Sequence, residues 1–484
     1  MHTAIDFAAI AQRAMLEHGF LPELGPEVTK EVSQLERAAH TGAGDVRDLR
    51  ALLWSSIDNA ESRDLDQIEH SERISSREVR VRVGIADVDS YVPRDSATDR
   101  RAAHNTVSVY TGVVWFPMLP YELSTDLTSL NQGEDRLAIV IDMVVGDDGE
   151  VGEADVYRAI VHNRAKLAYD EVGLWIGGSG PAPRIAAQLP ELEKQVRLQD
   201  EIAQKLRRLR HRRGALELET IEAQPVSKDG QLVDITLTHK SRARELIEDF
   251  MIAANGSMAR FLESHDRSSI SRIVRRPKRW DRIVELAAGF GDVLPAEPDP
   301  KSLSEFLDRR HAAAPEQFTD ISLSVVKLLG PGEYVLQPAK TKHIGHFGLA
   351  VQDYSHSTAP NRRYADLVTQ RLLKATVAGA APAYTDVELD AVARQCTTKE
   401  DDSRKVERTM RKVAAAALLA DRLGETFDAV VTGVAAKGTF VRLLAPPAEG
   451  RVVRGEQGLD VGDHVRVKLV ATEPTKGFID FVRG

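Results

Sequence analysis

Apolar and polar positions alternate with different periods along the chain, and the changes of period mark its elements. From 78 to 88 the sequence reads EVRVRVGIADV, apolar at every second position, which predicts a half-buried strand. RLAIVIDMVV at 136–145 is a continuous apolar run of buried-strand type. GDDGE at 146–150 is a turn, and VGEADVYRAIVHN at 151–163 reads as the partner strand. The whole of 78–145 is therefore expected to be strand-like. Helical spacing appears elsewhere: in IDFAAIAQRAML and GPEVTKEVSQLERAAH within 1–45, and over 186–214. It is clearest at 241–263, where Leu246, Phe250, Ala254, Met258 and Phe261 form one stripe. Two more helices are expected, one behind Pro360 through RYADLVTQRLLKATV and one over about 386–423. From Gly424 the pattern breaks into short strands interrupted by Gly433, Gly438, Gly458 and Gly477, which suits a small closed barrel.

These elements predict an α+β, multidomain chain. A helical region covers 1–45 and ends in the linker-like HTGAGD at 40–45, a mixed α/β body covers 46–423, and an all-β barrel covers 424–484. The 484 residues suffice for several cores. One cysteine, Cys396, excludes an internal disulfide and a cysteine-built zinc site. The first thirty residues lack a signal pattern, and the longest apolar run, VAAAALLA at 413–420, is far shorter than the roughly 18 residues a membrane span needs. A cytoplasmic, monomeric protein without membrane partners is expected.

The net charge of −9 argues against a nucleic-acid binder only as an average. KLRRLRHRR at 205–213 and RSSISRIVRRPKRW at 267–280 each carry six basic residues and no acid. Such runs are most often solvated helix faces, but two in an acidic chain suggest a concentrated positive surface for phosphate. Opposite in sign is SIDNAESRDLDQIEHSE at 56–72, with Asp58, Asp64 and Asp66 inside nine residues. Three carboxylates in a turn are usually solvated, and equally form the floor of a metal site, so the stretch alone does not decide.

The order of motifs decides. SIDNAESRDLDQ, GIADVDSYV, NTVSVYTGVVWFPMLPYELSTDLTSLNQGEDRLAIVIDM, LIEDFMIAAN and HFGLAVQDYSHSTAPNRRYADLVTQRLLK resemble the successive motifs of the ribonuclease II family over roughly 50–410. VTGVAAKGTFVRL and LDVGDHVRVKL resemble an S1 RNA-binding domain of OB-fold type. The resemblance implies 3′-to-5′ hydrolysis of single-stranded RNA with release of nucleoside 5′-monophosphates, in RNA degradation and processing, with Mg²⁺ as cofactor and Mn²⁺ as a substitute. That chemistry needs charge neutralisation at the phosphate and a hydroxide made near neutral pH, which paired divalent ions held by carboxylates supply.

By motif position, the metal set is Asp58, Asp64, Asp66 and the residue after it, with Asp64 and Asp66 also catalytic. Arg362 resembles the family's catalytic arginine, with Arg363 as a structural neighbour or second phosphate contact. Tyr110 matches the aromatic that stacks on the terminal base. Glu248 or Asp249, with Asn255, is expected to face the 3′ nucleotide and its 2′-OH, and Glu407 resembles a later acid of the same pocket. Phe440 and Arg442 are expected to face RNA from the barrel. His346 is assigned no chemistry.

The chain departs from the pattern in several places. Gln67 stands where the family has a further aspartate, and a neutral amide is the poorer ligand for hard Mg²⁺. Glu61 or Glu69 nearby is an alternative source of the missing carboxylate. Ala359, Asn361 and Gln370 replace the usual Ser, Ile and His, which leads us to expect altered RNA-channel contacts. About 45 helical residues occupy the place where many members carry two cold-shock-type barrels. Two rival readings stay open: a catalytically impaired RNA-binding member of the family, suggested by Gln67, and a DNA-directed exonuclease.

Overall fold

The structure, a computed structural model, describes residues 5–35, 46–219, 222–228, 231–238, 240–435 and 438–484. The 40–45 segment expected to be a linker lies outside the described residues. The body is built on a six-stranded sheet of β1 (Val46–Asp48), β2 (Trp54–Asp58), β3 (Gln67–Arg73), β4 (Glu78–Ala86), β5 (Asp135–Gly146) and β6 (Val151–Ala168), in the order β1-β6-β2-β3-β4-β5. β5 also pairs antiparallel with β6, from Asp135 opposite His162, while the last residues of β6 run parallel to β2. The sheet thus curls back on itself. The Val-Arg alternation of β4 explains its place: Val79, Val81 and Val83 are buried. Arg80 and Arg82 reach Asp142 on β5, where Asp142 sits opposite Arg82.

Both strand runs and the turn between β5 and β6 form as expected, but 87–134 is not continuous strand. It holds the helix Ala97–Asn105 and a two-stranded ribbon, Val109–Tyr110 with Trp115–Phe116. Pro93, Pro117 and Pro120 lack the N–H a ladder needs. The expected 186–214 helix is likewise two, Arg184–Gln188 and Pro190–Arg212, divided where Leu189 leaves helical geometry ahead of Pro190.

Helix Arg242–Ser264 opens where Ser241 accepts the Arg244 N–H. Its stripe of Leu246, Phe250, Ala254 and Met258 enters the main core beneath the sheet. Helix Tyr364–Val377 follows Pro360, and helix Asp386–Leu418 opens with a capping box from Thr385 and Glu388. Three helices without a sequence forecast, Trp280–Gly289, Pro300–Ala313 and Pro315–Leu329, enclose a separate small core around Trp280, Phe306 and Val325.

The tail is a closed five-stranded barrel running from Thr426–Ala435 to Phe478–Arg483. The end of the long helix is part of its core: Ala415, Ala416 and Leu419 cluster with Val441, Leu469 and Phe481. Gly477, at φ +68°, sits so close that a Cβ there would lie 2.7–2.9 Å from Lys412 and Val413 atoms of that helix.

Candidate active site

Residues far apart in sequence meet at a cavity of about 670 Å³. β2 ends at Asp58 and β3 begins at Gln67, so the loop between them carries the acidic cluster along one rim. Asp58 accepts from the Asn59 N–H at 2.7 Å and the Ser62 hydroxyl at 3.0 Å. Asp64 accepts from the Tyr110 hydroxyl at 2.8 Å. Both carboxylates and Gln67 line the cavity.

Asp66 lies just behind, 1% exposed. One of its oxygens accepts the Asn361 N–H at 2.9 Å and the other the Arg362 Nε at 3.0 Å. Burial pushes its carboxyl up to about 7, while Arg362 and the Asn361 N–H pull it down. Arg362 is thereby held at the wall with 46% of its side chain exposed, the rest of its fork toward the cavity. Arg363 turns elsewhere, making a two-nitrogen contact with the fully buried Asp366, which also accepts the Ala359 N–H. This clasp shapes the 359–363 turn that presents Arg362.

Tyr110, 44% exposed, stacks on Trp115 with centroids 6.0 Å apart and planes 14° apart. Tyr121 meets the far side of Trp115 edge-on. Opposite, helix Arg242–Ser264 contributes Arg244, Ile247 and Met251, and the long helix contributes Glu407 and Arg411. Arg244 lies over the Tyr169 ring and donates to the Asn59 side chain at 2.9 Å. The sequence reading missed Arg244, Trp115 and Arg411. The spacing 244, 247, 251 was the available signal for the first, since it defines one helix face.

The other forecast residues do not join this cavity wall. Glu248 is exposed on the outer face of its helix. Asp249 is buried on the far side of the apolar stripe, paired with Arg210 and Arg207, its carboxyl pushed up to about 6 by burial against those two arginines. Asn255 is buried and accepts from the Ser357 N–H and hydroxyl. Phe440 is 39% exposed on the barrel, and Arg442 pairs with Asp320 of helix Pro315–Leu329 at 2.9 Å. Ala359, Asn361 and Gln370 are all buried, so the expected change in RNA-channel contacts does not arise from their side chains. Gln370 instead donates to the Ala86 carbonyl and accepts the Asp89 N–H. His346, held down to about 4 chiefly by burial, accepts the Leu349 N–H.

The basic runs are partnered only in part, with Arg208 and Arg212 of the first and Arg276, Lys278 and Arg279 of the second exposed. In 205–213, Lys205 pairs with Asp147 and Glu201, Arg207 with Glu245, Arg210 with Asp249, and Arg213 with Glu150. In 267–280, Arg272 pairs with Glu400 and Arg275 with Glu333.

Three carboxylates of the 58–67 loop, Asp58, Glu61 and Asp64, with the Gln67 amide oxygen, make an oxygen-only set on this wall, the kind that hard divalent cations take. Behind Gln67, Glu69 is 1% exposed and neither of its oxygens has a hydrogen-bond partner. A second acidic group, Glu263, His343 and Asp353, has ligand atoms within 4.8 Å of one another and lies apart from this cavity.

The family model of the RNB domain matches residues 46–379, and that of the RNase II-type exonuclease C-terminal S1 domain matches 425–484. Ribonuclease R 1 of Lactococcus lactis is 28% identical over 465 residues, covering 90% of this chain and 56% of its own length. This chain therefore spans little more than half of that relative. The structure of Mycoplasma genitalium RNase R in complex with ribose methylated single-stranded RNA overlays with a TM-score of 0.87 at 21% identity, over 99% of this chain and 78% of that one. Yeast Ssd1, a pseudonuclease, shares the fold more distantly, with a TM-score of 0.69 at 15% identity over 93% of this chain and 56% of that one. RNB ribonucleases are 3′–5′ exoribonucleases and depend on metal. With one domain model covering well over half of its length and a second covering its tail, this chain belongs to the RNB family and carries an RNase II-type S1 domain.

Proposed function

We propose that the protein hydrolyses single-stranded RNA from its 3′ end and releases nucleoside 5′-monophosphates. The observation that carries this is the convergence of Asp58, Asp64, Gln67, Tyr110 and Arg362 on one cavity, from segments about 300 residues apart. Asp58, Asp64 and the Gln67 amide oxygen would hold the divalent cation, Mg²⁺ or Mn²⁺, which supplies charge neutralisation at the phosphate and an activated water. Asp66 fixes both Arg362 and the backbone of the turn that carries it, so the guanidinium meets the scissile phosphate without reorganising. Its planar fork suits phosphate oxygens in a way a lysine does not.

Tyr110, backed by Trp115, offers a ring on which the terminal base stacks without sequence preference. Its hydroxyl bond to Asp64 ties base position to the acidic rim. Thr358, Arg244, Glu407 and Arg411 complete the wall with polar groups for sugar and phosphate. A monomer belongs to this proposal. Among the described residues no helix is long and apolar enough to cross a membrane, and the single, buried Cys396 is compatible with a reducing cytoplasm.

Gln67 favours one rival, a family member that binds RNA without cleaving it. Digestion of 3′- and 5′-labelled RNA in Mg²⁺, with and without a stem and beside a deoxy strand, separates the readings. Stepwise release of 5′-monophosphates from the RNA 3′ end is expected. Binding without turnover establishes the rival, and equal loss of the deoxy strand establishes a DNA-directed exonuclease.

A further inference from the structure

Buried charge in this molecule is largely matched by charge of opposite sign. Asp249 has two arginines, Asp366 has Arg363, and Arg371 is enclosed by Asp89 and Asp99. One cluster away from the cavity is arranged otherwise. Glu263 stands in the last turn of helix Arg242–Ser264, His343 in the loop behind strand Glu333–Gln337, and Asp353 on the segment that runs to the Arg362 turn. One ligand atom from each can be chosen so that all three lie within 4.8 Å of one another. The His343 side chain is 7% exposed, and its Nδ1 is buried without a hydrogen-bond partner. Nδ1 lies 3.8 Å from an Asp353 oxygen, and Nε2 lies 3.7 Å from a Glu263 oxygen.

An imidazolium bonded to carboxylates would close to about 2.7–2.9 Å. Ligands of a tetrahedral zinc ion, each about 2.0–2.2 Å from it, stand roughly 3.4 Å apart. The spacing on both sides of the ring is nearer the second figure. Among the described residues no lysine or arginine pairs with Glu263 or Asp353: Arg260 donates to the Ser257 hydroxyl, and Lys340 pairs with Asp266. The last turn of the helix holds no basic residue either, although that end of a helix attracts cations.

The imidazole decides which ion fits. The cavity wall offers oxygens alone, whereas this set adds a nitrogen, which suits zinc better than Mg²⁺. We propose that Glu263, His343 and Asp353 form a second cation site that takes zinc, with water completing the coordination. Just beyond Asp353 the chain is already fastened: the Tyr354 carbonyl accepts the Arg272 N–H, and the Ser357 N–H donates to Asn255 of the same helix. The ion would tie the end of that helix, whose earlier residues line the cavity, to the segment that ends in the turn presenting Arg362. Its role is positional. No part of it rests on the activity proposed above.

The test uses the metal-free full chain carrying Asp58→Asn and Asp64→Asn, so that an ion in the cavity does not enter the count. Zn²⁺ is titrated by calorimetry with thermal melts alongside, and Co²⁺ serves as a coloured substitute that reports coordination. One equivalent of Zn²⁺ per chain is expected, with a rise in Tm and a visible Co²⁺ spectrum of a low-coordinate nitrogen–oxygen site. Adding His343→Gln or Asp353→Asn is expected to weaken Zn²⁺ at least about a hundredfold, the upper end of the range for loss of a merely supporting partner. The Co²⁺ spectrum should vanish with His343→Gln. If these variants do not fold, Glu263→Gln on the exposed rim makes the same comparison, with a loss of at least about tenfold expected. Absence of a Zn²⁺ equivalent, or one of unchanged affinity in the folded variants, overturns the site. Mg²⁺ binding as tightly as Zn²⁺ overturns its assignment to zinc.

Discussion

Two stretches of this chain concentrate charge, and folding treats them in opposite ways. The basic run 205–213 is largely partnered by the fold: Lys205, Arg207, Arg210 and Arg213 each find a carboxylate, while Arg208 and Arg212 stay exposed. The acidic run 58–69 keeps much of its charge unmatched: Asp58 and Asp64 accept only neutral donors, and Glu69 accepts none. Counting charges along the sequence suggested a positive surface for phosphate and left the acidic turn undecided. What distinguishes a structural charge from a functional one is whether the fold has already supplied its partner. A site meant for an ion from solution must leave that place open.

That contrast can be broken at both ends. The largest effect is expected from Asp66→Asn, which removes the charge anchoring Arg362: hydrolysis of labelled RNA should fall below detection while filter binding of the same RNA holds. A folded variant that loses binding in step with activity counts against this assignment. Next, Arg362→Ala should lower turnover under saturating RNA by about 10²–10³, the usual cost of one preorganised electrostatic group. Near-normal turnover removes Arg362 from the chemistry.

On the matched side, Asp249→Ala strands Arg210 and leaves Arg207 only Glu245, and should cost about 3–5 kcal/mol of stability in denaturant melts. Turnover per folded molecule should not change. A stable Asp249→Ala with reduced turnover would place this acid at the substrate after all. Tyr110→Ala removes a stacking platform worth roughly 1–3 kcal/mol per base. It should lengthen the final undegraded oligonucleotide more than it slows degradation of long RNA, and end-product sizing on a denaturing gel checks this. The smallest change is expected from Arg213→Gln, whose partner is Glu150: RNA affinity and its salt slope should stay as in the wild type. A slope reduced by about one would show that this arginine contacts phosphate.

The same contrast explains what was legible in the sequence. β4 and β5 could be read because their alternation and apolar run report burial directly. The barrel could be read from its glycine-spaced strands. The convergence of Asp58, Asp64, Tyr110 and Arg362 followed from the order of motifs, since no local periodicity links residue 64 to residue 362. Helix Arg242–Ser264 was legible as a helix, but its rotation was not. Glu248, Asp249 and Asn255 were chosen by motif, whereas the wall is made by 244, 247 and 251, the residues flanking the stripe that the core buries. The helices between 280 and 329 carried a signal that was passed over, prolines at the first position of two of them. Ion pairing was illegible altogether, because Asp147, Glu150 and Glu245 come to the basic run from other segments.

The long helix Asp386–Leu418 has a practical consequence for anyone who wishes to dissect the molecule. Within about two turns it brings Glu407 and Arg411 to the cavity and Ala415 and Ala416 to the barrel core. A truncation after residue 423 leaves that apolar helix end and Leu419 without their cover, so a shortened protein would be sticky for reasons unrelated to RNA. The contribution of the barrel is better measured with the chain whole, by exchanging Phe440 on its exposed surface, than by cutting where the sequence changes character.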